Sequence, residues 1–419
     1  MEPIVGFFLL LLVMAFLFTT EIIPLAVTAL GGAIICWLVG YISIDHVILG
    51  AKNPTVLFFI GMYIIGAALL HTGVAQQIGN TIVKTCGTNE NGIMLGLMIS
   101  ATLLSAVLSN TGTTAILLSL ALGICHSANI SPSRHLMPLA FACSWGGLLT
   151  LMGSPSNVIA NTALKSASLL KFSFFEFAYI GIPLSIAGIV YMTLVGKKLL
   201  PKEDRVSRFN DVYSKDLGRF KIQQVISVVI LTGIIIIMAL DIRVIPLEIA
   251  AILGALTCLL SRCLTLKQAF LAVDWSAIFL FFGMICVAEA MNQTGTSQFI
   301  AQVGVTWVNS SQNPLLVMII LFTISCSLTQ FMPNIVSTML LCPIGIAIAH
   351  MLNVNPNPFV MAIIVASSCS YATPIGSPSN IMVLNYGHYL FKDYLKVGSG
   401  LVVISFLISI VLIPLIWPF

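Results

Sequence analysis

The sequence predicts an all-α polytopic membrane protein assembled from two inverted repeats, each with five transmembrane helices and one re-entrant hairpin. Three observations lead there. Of the 419 residues, 58% are hydrophobic and 8% charged, with a mean hydropathy of +1.07, whereas an ordinary soluble domain is about 25% charged. Landmarks of the first half also return in the second at a near-constant distance. Ile23-Pro24 and Ile245-Pro246, Gly61-Met62 and Gly283-Met284, and Thr72-Gly73 and Thr294-Gly295 lie 222 residues apart, Asn110 and Asn334 224, and Gly153 and Gly376 223. Such self-similarity marks an internal duplication. Finally, Gly153-Ser154-Pro155-Ser156-Asn157 and Gly376-Ser377-Pro378-Ser379-Asn380 interrupt apolar segments. A Gly-Ser-Pro core removes a backbone donor and breaks a helix, and unwound backbone persists within a bilayer only where protein or a watery cavity surrounds it.

Residues 1–196 form the first predicted repeat. Apolar stretches near the ~20 residues needed to cross a bilayer run over 4–20, 24–41 and 55–71. The first follows Glu2 with no basic leader and no small-residue cleavage site, so it reads as a retained helix and not a signal peptide. Two shorter runs within 92–126 hinge at Ser109-Asn110-Thr111-Gly112-Thr113-Thr114, in a stretch without charge from 91 to 133. They predict a hairpin with a polar tip at membrane depth. A segment over 136–170, broken at the first pentapeptide, and a span at 177–196 complete the half. Residues 197–221 hold eight basic and four acidic residues and predict a solvated cytoplasmic linker too short to fold alone. The order repeats over 222–419, with spans at 222–240, 245–261 and 276–292, a hairpin at 314–350, a broken segment at 358–390 and a last span at 399–417.

An odd number of crossings per half obliges the second half to enter from the opposite face. With the linker inside, 14 of the 18 basic residues fall on the cytoplasmic side: Lys84, Arg134, the eight of the linker, Arg262, Lys267, Lys392 and Lys396. Lys52, Lys165, Lys171 and Arg243 fall outside. The positive-inside rule therefore predicts both termini on the outer side of the cytoplasmic membrane, the first hairpin entering from the cytoplasm and the second from outside. The net charge of +4 speaks to orientation, and nucleic acid is not an expected partner. Inverted repeats are the arrangement that gives secondary transporters two openings around one midplane site.

At that midplane two hairpin tips and two breaks offer Ser, Thr and Asn side chains beside free backbone groups. Helix starts aim amides at an anion, and carbonyls suit a hard cation such as Na⁺. No apolar segment centre carries an ionisable pair, since Glu248, Asp274 and Glu289 lie near span ends; a buried-carboxylate proton relay is thereby disfavoured. A dianion neutralised by Na⁺ is favoured instead, each net positive charge moved inward gaining about 2.3 kcal/mol per 100 mV. A lone Ser-Asn-Thr in a membrane helix is ordinarily packing glue, but its duplication beside two breaks turns the reading toward a site. The ten cysteines form no C-x-x-C pair and read as buried, inert thiols. The six histidines, at loops and span ends, read as surface or interface groups. No organic cofactor is expected, and the lack of a catalytic dyad or metal cluster at membrane depth disfavours an enzyme. Hairpins that seal from both sides disfavour a passive channel.

At these residues the chain resembles the divalent anion:sodium symporter family, also described as citrate-transporter-like or solute carrier 13-like permeases. The matching motifs are Thr20-Glu21-Ile22-Ile23-Pro24-Leu25-Ala26-Val27-Thr28-Ala29-Leu30, Ser109-Asn110-Thr111, the first pentapeptide, and Thr373-Pro374-Ile375-Gly376-Ser377-Pro378-Ser379-Asn380. The resemblance covers nearly the whole chain. It implies the ion transporter superfamily fold, elevator-like movement of a hairpin-bearing core against a scaffold, a homodimer, and secondary transport of a small anion, a di- or tricarboxylate, coupled to Na⁺. It places one Na⁺ at Ser105, Ser109, Asn110 and Gly153 and a second at Thr329, Asn334 and Gly376. Substrate carboxylates would contact Asn110, Thr111, Ser154 and Pro155 from one half and Asn334, Ser377 and Pro378 from the other. One departure stands out: Pro333-Asn334-Ile335 replaces the family's Ser-Asn-Thr, exchanging a hydroxyl for a branched alkyl and shifting preference among anions by up to a few kcal/mol. The alternatives are an arsenite permease or a Na⁺/H⁺ antiporter of the same superfamily, the latter expected to use a buried Asp, and a Na⁺-independent anion exchanger.

Overall fold

The structure, a computed structural model, describes residues 3–87, 89–128, 130–201, 221–240, 245–307 and 313–419. Among these residues there are helices and no strand. The first half runs α1 (Pro3–Thr20), α2 (Leu25–Leu38), α3 (Ile44–Ala51), α4 (Pro54–His71), α5 (Val74–Cys86), α6 (Glu90–Ser105), α7 (Asn110–Ala128), α8 (Leu136–Gly146), α9 (Pro155–Ser166) and α10 (Ala178–Tyr191), which continues through a π turn into α11 (Lys197–Leu199). The order returns as α12 (Lys221–Ala239), α13 (Leu247–Leu260), α14 (Leu266–Ala272), α15 (Trp275–Gln293), α16 (Thr296–Trp307), α17 (Pro314–Leu328), α18 (Asn334–Leu352), α19 (Asn357–Ser368), α20 (Pro378–Tyr386) and α21 (Phe391–Ile416).

Start and stop signals repeat with the elements. Pro24 and Pro246, at φ −52° and −55°, precede α2 and α13. Asn53 and Asp274 accept from the amides of Thr55 and Ala277, capping α4 and α15. Thr72 and Thr294 close those helices, and Gly73 and Gly295, at φ 79° and 73°, turn the chain through the left-handed region that glycine enters without strain.

Among the described residues, seven helices are long and apolar enough to cross a bilayer: α4, α7, α10 with its continuation, α12, α15, α18 and α21. Two features differ from the sequence reading. The expected spans at 24–41 and 245–261 are the 14-residue helices α2 and α13, about 21 Å long at 1.5 Å per residue and shorter than the ~30 Å apolar core. Stretches read as connections also hold α3, α5, α14 and α16, short helices that mix polar with apolar residues and so leave no bilayer-length run. The breaks fall at the pentapeptides, α8 stopping at Gly146 and α9 starting at Pro155, α19 stopping at Ser368 and α20 starting at Pro378. The expected linker lies mostly outside the described residues.

Packing divides the helices into two groups. In one, α2 packs on α15 and α4 on α13, joined by α1, α3, α12 and α14. The two central contacts are reciprocal. A methyl added to Gly61 would sit 2.5 Å from the carbonyl carbon of Ala251, and one on Gly283 would sit 2.4 Å from that of Ala29. The second group packs α6, α7, α8 and α10 with α17, α18, α19 and α21, and includes the α9–α18 and α7–α20 contacts. Where the groups meet, the halves are not equivalent: α15 packs on α18 and α4 on α9, with no comparable packing of α4 on α7 or α15 on α20. A 3.0 Å hydrogen bond between the Thr55 and Thr162 hydroxyls fastens α4 to α9; the offset positions are Ala277 and Asn385.

Candidate functional site

Each break is braced by the asparagine that ends its pentapeptide. Asn157 Nδ2 donates to the carbonyls of Gly147 and Thr150, both at 2.8 Å, and Asn380 Nδ2 to those of Ser370 and Thr373, at 2.7 and 3.1 Å. A threonine then ties each break to its hairpin turn. The Thr150 hydroxyl donates to the Ala106 carbonyl and accepts from the Gly153 amide. Thr373 does the same with Gln330, at 2.5 Å, and Gly376. The second tip has one more strut, because Gln330 donates to the Cys326 and Cys369 carbonyls, both at 2.9 Å, and accepts from the Ala372 amide. Ala106 stands at the corresponding place in the first tip.

On this frame Asn110 and Asn334 open α7 and α18. One end of the Asn110 carboxamide faces Ser105 Oγ at 2.6 Å, Cys143 O at 3.0 Å and Gly153 O at 3.3 Å, and with its nitrogen placed there it donates to all three. Asn334 faces Thr329 Oγ1, Ser367 O and Gly376 O at 2.8, 2.9 and 3.2 Å in the same way. Ser105, Asn110 and Gly153 are thus brought together, as are Thr329, Asn334 and Gly376. Ser109 is engaged elsewhere, accepting from the Gly112 amide at 3.2 Å. The Cys143 and Ser367 carbonyls, Thr150 and Gln330 escaped the sequence reading, and Thr373 entered it only as part of a motif; for the two threonines the repeat offset of 223 was the available signal.

Ser154 and Ser377 are 3% and 2% exposed and extended, at φ −138° and −142°; neither side chain caps its helix, and Pro155 and Pro378 follow in the first turn. Contacts link the four helices α7, α9, α18 and α20 in turn. Asn110 meets Gly153 before α9, α9 packs on α18, Asn334 meets Gly376 before α20, and α20 packs on α7. Thr111 and Pro378 are exposed and Ile335 half-buried. Residues 91–133, 135–164 and 290–391 contain no Asp, Glu, Lys or Arg. Ser156 Oγ and Asn157 Oδ1, with their counterparts Ser379 Oγ and Asn380 Oδ1, are buried without a hydrogen-bond partner among the described residues. The chemistry of such an arrangement is neutral: amide-rich helix starts that favour an anion, beside oxygen cages that suit a hard cation.

Two side-chain classes need comment. The cysteines are all free and, apart from half-buried Cys86, buried; no His, Cys, Asp and Glu cluster among the described residues can hold a metal. His135 corrects the sequence reading of the histidines as surface groups. It is 1% exposed, its ring within hydrogen-bond distance of the Ser131 and Glu90 carbonyls at 3.0 and 3.3 Å, and burial holds its pKa below the ordinary histidine value.

This fold, with a polar turn and a broken helix in each half, has solved counterparts. It matches the solved structure of the Alcanivorax borkumensis YdaH transporter with a TM-score of 0.65 at 13% identity, over 99% of this chain and 98% of that one. It matches Neisseria gonorrhoeae MtrF, of a class of antimetabolite efflux pumps, at 0.59 and 12%, over 99% and 94%. The citrate transporter family model matches residues 15–341 and 237–419, and the chain belongs to that family. Its relatives include an uncharacterized transporter, YfbS, of Escherichia coli strain K12, 22% identical over 98% of both chains. The sodium-dependent dicarboxylate transporter SdcS of Staphylococcus saprophyticus is 25% identical over 95% of this chain and 83% of its own.

Proposed function

We propose that this transporter carries a small anion, a di- or tricarboxylate, across the cytoplasmic membrane together with Na⁺, by alternating access between two inverted halves. The pair of matched oxygen cages at Asn110 and Asn334 carries the reading. With its nitrogen inward, each carboxamide satisfies its own cage. Rotated, it presents an oxygen that accepts only from Ser105 at 2.6 Å, or from Thr329 at 2.8 Å, and otherwise faces carbonyls. Three oxygens around the carboxamide end, with the rotated carboxamide oxygen as a fourth, suit a cation, so each asparagine fills its cage when empty and ligates when loaded. The adjoining helix starts and the Ser154 and Ser377 hydroxyls then supply donors for carboxylates, whose charge the Na⁺ offsets. The name of the SdcS relative supports both the ion and the substrate class.

The test is uptake into proteoliposomes of succinate, citrate, sulfate and arsenite, with and without an inward Na⁺ gradient. One carboxylate is expected to accumulate only with the gradient, and Asn110→Ala or Asn334→Ala to reduce uptake to background in protein that still elutes as a folded species. Equal uptake after Na⁺ replacement, or normal uptake by either variant, overturns the reading.

A further inference from the structure

A cavity of about 350 Å³ lies between the two helix groups. One wall is formed by α15, α16 and the α4 cap Asn53, the other by α9 and α18. Those last two helices begin at the site, and the cavity lining starts on them at Ile159 and Met339, four residues after Pro155 and five after Asn334. Phe281, Met284, Ile285 and Ile346 make much of the surface apolar. Among the described lining residues, Glu289 is the only Asp, Glu, Lys or Arg. Its side chain is 41% exposed, accepts from Gln293 Nε2 at 2.9 Å, and lies 3.8 Å from His46 Nε2; His350 lines the facing wall.

We infer that this cavity is an approach to the site and that Glu289 is its charge filter, gathering the cation and repelling the free anion. The inference rests on the proposed Na⁺-coupled anion transport. A single charge on low-dielectric walls raises the local concentration of its counter-ion and lowers that of its co-ion. A unit charge acting across about 10 Å of largely aqueous space changes an apparent affinity roughly two- to fourfold. The effect is confined to low salt, because the screening length is about 10 Å at 0.1 M.

The experiment is uptake by the reconstituted full chain of the anion found by the panel above. It is run at one fixed pH of about 8 throughout. At about 30 mM ionic strength, Glu289→Gln is expected to raise the apparent KM for Na⁺ and to lower that for the anion, each about two- to fourfold, and both shifts are expected to vanish at about 300 mM. Glu289→Gln combined with Asn292→Asp, which returns a carboxylate to the same cavity, is expected to restore both constants. Asn292→Asp alone adds a second carboxylate and shifts them the opposite way, which keeps the inference testable should Glu289→Gln not fold. Constants that stay put, move in the same direction, or shift regardless of salt overturn the filter while leaving Na⁺-coupled transport standing. Wild-type uptake indifferent to Na⁺ overturns the transport reading and the filter with it.

Discussion

Asn157 and Asn380 each spend one buried nitrogen on two carbonyls that no helix can satisfy. Truncating Asn157 strands the Gly147 carbonyl and leaves that of Thr150 with the Gly153 amide at 3.3 Å, and truncating Asn380 strands both of its carbonyls, so Asn157→Ala and Asn380→Ala are each expected to destabilise the protein by roughly 1–3 kcal/mol. Thermal unfolding in detergent checks this; an unchanged Tm in both variants refutes the bracing role. At this scale the sequence was informative about residue type and position and silent about direction. Asn110, Asn334, Gly153 and Gly376 stood out because a polar residue or a glycine interrupts an uncharged apolar run. Nothing in such a run says which carbonyl an amide will reach. The Cys143 and Ser367 carbonyls therefore entered only with the fold, as did the Thr150 and Thr373 clasps.

The helix contacts α2–α15 and α4–α13 are set by glycines pressed onto the opposing backbone. A side-chain neighbour could turn aside, but the Ala251 and Ala29 carbonyls belong to helices and cannot. Gly61→Ala and Gly283→Ala are therefore each expected to separate the helix pair and cost roughly 1–3 kcal/mol, measured as a lowered Tm, while Gly31→Ala, where an added methyl meets nothing within 4 Å, is expected to leave it unchanged. Gly61 and Gly283 were visible in the sequence as members of a duplicated pair, yet their partners lie in the other half of the chain. Long apolar runs and Gly-Ser-Pro breaks were legible because the bilayer leaves backbone so few options. The short helices α3, α5, α14 and α16 were not, since a seven- to thirteen-residue mixture such as α5, with Gln76, Gln77, Asn80 and Lys84, scans as a connection.

For the molecule as a whole, the unequal meeting of the two helix groups describes one end of the proposed cycle. Its opposite would exchange α4 on α9 and α15 on α18 for α4 on α7 and α15 on α20. The Thr55–Thr162 bond exists only at the first end, because the offset positions, Ala277 and Asn385, supply no hydroxyl pair. Thr162→Val keeps the shape and removes the bond, and is expected to move the equilibrium about fivefold toward the opposite end. Solvent access to a cysteine placed at Ser166, on the cavity side of α9, reads that shift; unaltered labelling counts against it.

The same hydroxyl pair touches neither cage nor the starts of α7, α9, α18 and α20, so it acts alike on a filled and an empty site. It lengthens the pause of an empty carrier and a full one alike, and losing it should quicken net uptake and counterflow by one common factor. The number of ions moved with each anion is left untouched.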